Sequence, residues 1–186
     1  MVSVVLSLRH WLNMPVDDET LMQRYAQTGD ARLLSALYDR RADDLYHFLL
    51  ALCGHDMAQD VAQKTWLKVI EKRRLFNGSG RFKGWLFTLG RHTLLDDLRK
   101  RSGHPSSQAE VSAGCEFCDV DNQLAEAFGA ALNALPFEQR EAFCLQQEGF
   151  GLQEIATMCD CGTETIKSRL RYARHTLRQR LEKYHD

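Results

Sequence analysis

Residues 152–170 read LQEIATMCDCGTETIKSRL and contain two short helical patterns that meet at a sharp break. We expect Gly162 to adopt the positive φ that such a corner tends to require and Thr163 to cap the second helix. Apolar side chains recur every three or four residues on both sides of the break, which indicates two helices that share one small core. These side chains are Leu152, Ile155, Ala156 and Met158 before the break, and Ile166, Leu170, Ala173 and Leu177 after it. The pattern predicts a helix-turn-helix.

The helix that follows the corner is strongly basic. Residues 163–183 hold seven basic and two acidic side chains. In a helix-turn-helix, the first residues of the second helix enter the major groove, and basic side chains further along neutralise phosphates. A solvated basic face of an ordinary helical bundle is the alternative, and the glycine corner makes it the less favoured one. We therefore predict base contacts by Thr163, Glu164, Lys167, Ser168 and Arg171, and a phosphate contact by Arg174.

A small net charge of −1 hides a strong segregation of charge along the chain. Residues 13–60 carry nine acidic and four basic side chains. Residues 71–104 carry three acidic and nine basic ones, and residues 102–150 carry eight acidic ones and one basic one. Two basic segments separated by acidic ones indicate contact with nucleic acid at two places and with a protein surface elsewhere.

Composition also argues against several classes of protein. No apolar run approaches the roughly 20 residues of a membrane span, so we expect a cytoplasmic protein without membrane insertion, whose six cysteines are reduced. The seven histidines are scattered and the NGSG of residues 77–80 is no P-loop, so we predict no enzyme.

Cys115 and Cys118 form a lone C-x-x-C pair, whereas structural zinc takes four ligands. We predict no metal site and no cofactor. Metal binding or redox sensing by this weak candidate pair is the less favoured alternative.

Helical patterns fill residues 18–101 and return at residue 123. Residues 102–122 are instead rich in Gly, Ser, Pro and acids and show no helical period. A structureless stretch longer than about 12–15 residues is uncommon inside one compact domain. The sequence therefore predicts an all-α protein with two small helical domains, residues 18–101 and 123–184. A flexible linker, residues 102–122, joins them, and the second domain is the helix-turn-helix.

Four motifs resemble those of a known family. Residues 60–68, DVAQKTWLK, resemble its D-x-x-Q-x-x-F helix, and residues 81–86, RFKGWL, resemble its F-R-x-W-L string. Residues 135–141, LPFEQRE, open the second domain as in that family, and residues 165–170, TIKSRL, resemble its T-V-K-S-R-L. In this order, the motifs resemble extracytoplasmic-function (ECF) sigma factors, which direct RNA polymerase to promoters.

The resemblance implies three binding surfaces. One is a helix that docks on the clamp helices of the beta-prime subunit of core RNA polymerase, through Asp60, Gln63, Lys64, Trp66 and Lys68. A second binds the melted minus-ten strand, through Lys72, Arg73, Arg74, Asn77, Arg81 and Lys83. The third is the helix-turn-helix, which would read the minus-thirty-five element as duplex. Phe82 and Trp85 are available to stack on bases, but their helical spacing favours a place in the core.

The implied partners are core RNA polymerase, promoter DNA and a cognate anti-sigma factor. The alternative is a regulator with a LuxR-like helix-turn-helix, which would bind a palindrome as a dimer without docking on polymerase. The polymerase-docking motif at residues 60–68 argues against that alternative.

Overall fold

A computed structural model describes residues 16–76, 78, 80–101 and 122–182 of the chain. Within these ranges the chain forms eight α-helices, one short 3-10 turn and no strand, which confirms the all-α prediction. None of these helices is long and apolar enough to cross a bilayer. Asn77, Cys115, Cys118 and nearly all of the predicted linker lie outside the described residues. The helices are α1 (Asp18–Thr28), α2 (Ala31–Cys53), α3 (His55–Glu71), α4 (Phe82–Arg101), α5 (Asn122–Asn133), α6 (Phe137–Gln147), α7 (Leu152–Cys159) and α8 (Thr163–Leu181).

The first four helices form an N-terminal bundle. Helix α1 begins where the Asp17 carboxylate accepts a hydrogen bond from the Thr20 main-chain N–H at 2.7 Å, an N-cap that satisfies one free donor of the first turn. Only Gly54, with φ 78°, separates α2 from α3. Helix α4 approaches α2 closely at Gly90, where an added Cβ would lie only 2.8 Å from Cδ1 of Leu45. The periodic apolar residues fill this core, among them Leu37, Leu45, Phe48, Leu49, Leu52 and Leu86.

The last four helices form a C-terminal bundle that contains the predicted helix-turn-helix. Helices α7 and α8 contact each other and are separated by three residues. The stripe predicted on α8 is buried throughout, and on α7 only Leu152 of the predicted stripe is partly exposed. The buried members are Ile155, Ala156, Met158, Ile166, Leu170, Ala173 and Leu177.

Two details of the corner differ from the prediction. The residue with positive φ is Asp160, at φ 52° and ψ 51°, while Gly162 has an ordinary φ of −74°. Aspartate is among the few residues that enter the left-handed region readily. The turn therefore takes its left-handed residue at Asp160 and does not require a positive φ at Gly162. Thr163 is the first residue inside α8, and the N-cap position belongs to Gly162, which has no side chain to cap with.

The two bundles pack directly against each other. Helix α2 contacts α5 and α6, and α4 contacts α7. The rings of Phe87 on α4 and Phe150, which precedes α7, have centroids 5.3 Å apart. Beside them, Nε of Arg91 lies 2.7 Å from Oε1 of Glu141. The interface therefore combines apolar contact with ion pairing.

Candidate nucleic-acid interface

Most of the predicted side chains of α8 lie on an exposed surface. Glu164, Lys167, Arg171 and Arg174 are exposed, and Thr163 and Ser168 are half-buried. The Nζ of Lys167 donates to Glu164 at 2.6 Å, and the guanidinium of Arg171 lies 5.1 Å from the ring of Tyr172. These contacts are local to the helix and leave the predicted base-reading residues open to solvent.

Arg174 lies further along α8 and donates to the side-chain oxygen of Gln146 at 2.6 Å. That bond joins the basic helix to the end of α6. Because the contact is exposed, Arg174 can exchange it for a phosphate oxygen.

The basic segment after α3 forms a 3-10 turn, Arg73–Leu75. Lys72 and Arg74 are exposed, whereas the guanidinium of Arg73 folds back to within 5.9 Å of the Tyr25 ring. Phe76 is buried, with its ring 5.5 Å from Trp85 and 6.1 Å from Phe82. Phe82 is itself fully buried, as the helical spacing favoured.

Gly78 has φ 70°, and a Cβ there would collide with the Gln23 side chain. The left-handed φ favours glycine at this position, whereas the Gln23 amide is the end of a flexible side chain and is able to move aside.

Arg81 and Lys83 point toward the C-terminal bundle. Nζ of Lys83 lies 2.8 Å from Oε2 of Glu148 and 3.4 Å from Oδ2 of Asp44. Arg81 lies 3.9 Å from Glu154. The structure thus leaves Lys72 and Arg74 facing solvent and engages Lys83 between the bundles.

On α3, the residues predicted to dock on polymerase divide between two faces. Nζ of Lys64 donates to Asp60 at 2.6 Å and to Asp97 of α4 at 2.7 Å. Lys68 donates to the Thr93 hydroxyl at 2.9 Å. The hydrogen bonds to Asp60 and Asp97 raise the pKa of Lys64, and the bond from Lys64 lowers the pKa of Asp97. Lys64 and Lys68 therefore join α3 to α4.

Gln63 and Trp66 instead face a groove of about 500 Å³ between α2 and α3. Trp66 is only 7 % exposed and packs against Tyr38, with ring centroids 5.0 Å apart. Exposed apolar side chains line this groove: Tyr38, Leu67 and Ile70. All three lie within the helical pattern of residues 18–101, and periodicity alone does not show which apolar side chains of a helix are covered. None of the three was among the residues predicted to dock on polymerase.

Cys53, Cys144 and Cys159 are buried, and burial raises the pKa of Cys53 and of Cys159 to about 12. A thiol with so high a pKa stays protonated at neutral pH, so neither is a ready metal ligand or nucleophile. Within the described ranges no three His, Cys, Asp or Glu side chains cluster as metal ligands.

Each of the two bundles matches a known protein family. Residues 37–104 match the family model Sigma-70 region 2, and residues 125–177 match Sigma-70, region 4. The ECF RNA polymerase sigma factor EcfG of Rhodopseudomonas palustris is 35% identical over 136 residues, which cover 70% of this chain and 75% of that protein.

The chain belongs to the ECF RNA polymerase sigma factors.

Other members of the ECF family agree. SigL of Mycobacterium tuberculosis is 30% identical over 172 residues, which cover 84% of this chain and 93% of SigL. The sigma factor RpoE of Bartonella quintana, solved in complex with the anti-sigma factor NepR, superposes with a TM-score of 0.67 at 30% identity. That match covers 80% of this chain and 96% of RpoE. This ECF sigma factor therefore acts in transcription initiation, with region 2 in the N-terminal bundle and region 4 in the C-terminal one.

Proposed function

We propose that this sigma factor binds core RNA polymerase and selects promoters by reading two elements, a minus-thirty-five duplex with α8 and a melted minus-ten strand with the N-terminal bundle. The proposal rests on the exposed basic face of α8, the second helix of the helix-turn-helix. The chain that carries this face belongs to the ECF sigma factors. We propose the domain boundaries predicted from sequence: 18–101, a linker at 102–122, and 123–184.

For the minus-thirty-five element, Lys167 and Arg171 suit base recognition. Both are exposed and one turn apart on α8. Basic side chains at these positions donate to guanine O6 and N7. Glu164 is able to accept from a cytosine amino group, and its exposed ion pair with Lys167 costs little to open. The pairing of Lys167 with Glu164 is therefore no barrier to reading DNA.

For the minus-ten strand, Lys72 and Arg74 offer exposed charge beside the loop that follows α3. A basic groove next to aromatic side chains is a common way to hold single strands. Trp85 is half-buried and packs against Phe76 and Phe82. In this proposal its ring therefore packs against Phe76 and does not stack on a base.

For core polymerase, we propose that the clamp helices of the beta-prime subunit dock in the groove between α2 and α3. Gln63, Leu67 and Tyr38 supply exposed polar and apolar contacts there. Lys64 and Lys68 act indirectly in this proposal, since their bonds to α4 hold α3 in place.

We also propose a cognate anti-sigma factor, because RpoE of Bartonella quintana was solved with one, NepR. The protein carries out no catalysis of its own in this scheme. It works in the cytoplasm, where it meets core polymerase and DNA.

Run-off transcription tests the proposal. Bacterial core polymerase is assayed with and without the purified chain on fragmented genomic DNA of its source, and start sites are mapped. New starts that share paired elements about two helical turns apart, lost in a Lys167→Ala, Arg171→Ala double variant, support it. Binding to a palindrome without polymerase, together with no core-dependent initiation, would favour the LuxR-like regulator instead.

A further inference from the structure

Helix α1 lies before the part of the chain that matches the region 2 family model, which begins at residue 37. It is nevertheless part of the N-terminal bundle, because its side chains Leu21, Met22 and Tyr25 are buried. It contacts the 3-10 turn and α4, the two elements that the loop of residues 76–81 joins. A function for α1 therefore has to come from its own contacts with this loop.

Glu19 joins α1 to the start of α4. Its Oε1 accepts a hydrogen bond from the main-chain N–H of Phe82 at 2.9 Å, across 63 residues of sequence. Phe82 is the first residue of α4, and the N–H groups of a first turn have no partner within their own helix. A carboxylate at this end also interacts favourably with the helix dipole. Glu19 therefore fixes the point at which the loop enters α4.

Ion pairs hold the beginning of α1 on α2. The Asp18 carboxylate lies 3.1 Å from Nη1 of Arg40 and 2.6 Å from Nε of Arg41, and its side chain is only 8% exposed. Nη1 of Arg40 also donates to the main-chain oxygen of Val16 at 2.6 Å. These bonds hold α1 in one position relative to α2, so the side chains of α1 meet the loop at a defined place.

Gln23 reaches the loop itself. Its amide fills the space that a Cβ of residue 78 would take, and the three atoms nearest to that point all belong to Gln23. Because Gly78 has no side chain, the amide is able to lie against the main chain of the loop. Gln23 is exposed to solvent. The structure thus places a free-standing amide at the surface of the loop.

The neighbouring surface suits a single strand of nucleic acid. Lys72 and Arg74, in or next to the 3-10 turn that α1 contacts, are exposed cations. Leu75 of the same turn is 71% exposed. Cations attract the strand's phosphates, and an apolar side chain is able to pack on the face of an unstacked base. What such a surface still needs for base preference is a group with directional hydrogen bonds, and the Gln23 amide is one.

We infer that Gln23 of α1 contacts one base of the melted minus-ten strand and contributes to base preference there. The inference rests on the proposed minus-ten role of the loop. A glutamine amide presents a donor beside an acceptor, which matches the N7 acceptor and N6 donor of adenine. A base taken out of the stack is read through hydrogen bonds of this kind. Adenine is therefore the expected base, and Glu19 is a positioning residue that acts through α4.

The test uses the holoenzyme, reconstituted from the full chain and bacterial core polymerase. It is incubated with a pool of single strands that carry 12 randomised nucleotides, and the retained strands are sequenced. Core polymerase alone gives the background. The variant is Gln23→Ala, and its matched control is Gln27→Ala, which removes another exposed glutamine of α1. Circular dichroism checks that each variant is folded.

We expect the wild-type holoenzyme to enrich a motif that core polymerase alone does not. Gln23→Ala should lower the preference for adenine at one position of that motif about tenfold, as the loss of a bidentate base contact does. The other positions should keep their preferences, and Gln27→Ala should match wild type throughout.

A positioning role for Glu19 gives a different result. Glu19→Ala should reduce retention of all enriched strands alike, because it changes where the loop enters α4 and removes no base contact. Glu19→Gln keeps an oxygen that is able to accept from the Phe82 N–H, so it should restore most of the retention.

Two outcomes would overturn the inference. If wild type enriches a motif and Gln23→Ala either keeps every preference or weakens all positions equally, Gln23 reads no base, and the minus-ten role of the loop stands. If the wild-type holoenzyme enriches no motif beyond core polymerase alone, that minus-ten role itself is wrong, and the inference falls with it.

Discussion

Lys64 on α3 and Asp97 on α4 are joined by a hydrogen-bonded ion pair of 2.7 Å, although 33 residues separate them in the chain. Asp97 is 11% exposed at its side chain, and the neighbouring Asp96 is 51% exposed. Asp97 thus ties α3 to α4 through a short hydrogen bond, whereas the half-exposed Asp96 reaches α3 only through a longer contact of 3.9 Å with Lys68.

Removal of the Asp97 charge should destabilise the N-terminal bundle. We expect Asp97→Asn to lower the thermal midpoint clearly more than Asp96→Asn, because only Asp97 accepts the bond from Lys64. The pKa of Asp97 is lowered below its usual 3.8, so the pair's stabilisation is present above pH 3.8 and is lost as the pH falls through the folded-state pKa. Thermal melts between pH 2 and 7 check this. A difference between wild type and Asp97→Asn that stays constant down to pH 2 would contradict it.

The helix-turn-helix corner allows a sharp comparison of two neighbouring positions. Asp160→Ala should destabilise the C-terminal bundle by about 1 kcal/mol, because alanine in the left-handed region is strained. Asp160→Gly should be close to neutral. Gly162→Ala should also be mild, since Gly162 has φ −74° and a Cβ there meets nothing within 4 Å. Urea unfolding of the three variants measures this order. The opposite order would place the positive φ at the glycine, as the sequence first suggested.

The groove between α2 and α3 should control docking on core polymerase. Leu67→Asp places a charge among exposed apolar side chains, and we expect it to weaken core binding at least about tenfold, as truncation of a central contact does. Leu124→Asp is the matched control, because Leu124 is similarly exposed, at 44%, but lies on α5. Affinity of each labelled variant for core enzyme gives the answer. Equal affinities would show that the docking surface lies elsewhere.

On α8, base contacts and phosphate contacts should separate in their salt dependence. Lys167→Ala and Arg171→Ala should each lower specific duplex binding by about 1–3 kcal/mol and relax base preference. Arg174→Ala should weaken all sequences alike and reduce the slope of log K against log salt by about 0.9. Arg32→Ala, whose side chain is 91% exposed on α2, serves as the control. Titrations at several salt concentrations distinguish the two classes, and a salt slope unchanged by Arg174→Ala would remove Arg174 from the phosphate contacts.

The sequence alone determined the helices, the place of the corner and the family, although not which corner residue takes the positive φ. An apolar stripe such as the one from Ile166 to Leu177 is recognised from residues only three and four positions apart. Each of the four family motifs is likewise a short contiguous string. It also determined the basic face of α8, since charges on the exposed side of one helix need no distant partner. These features are local, and local patterns are readable without a structure.

Only the tertiary structure decided which predicted site residues are available. Lys83 is engaged by Glu148, 65 residues away, and Lys64 by Asp97. Tyr38 is left at the groove while Trp66 is covered. Each outcome depends on how helices remote in sequence pack together. A residue's type and spacing show what it is able to bind, but the neighbours that the fold brings to it determine whether that capacity is already used.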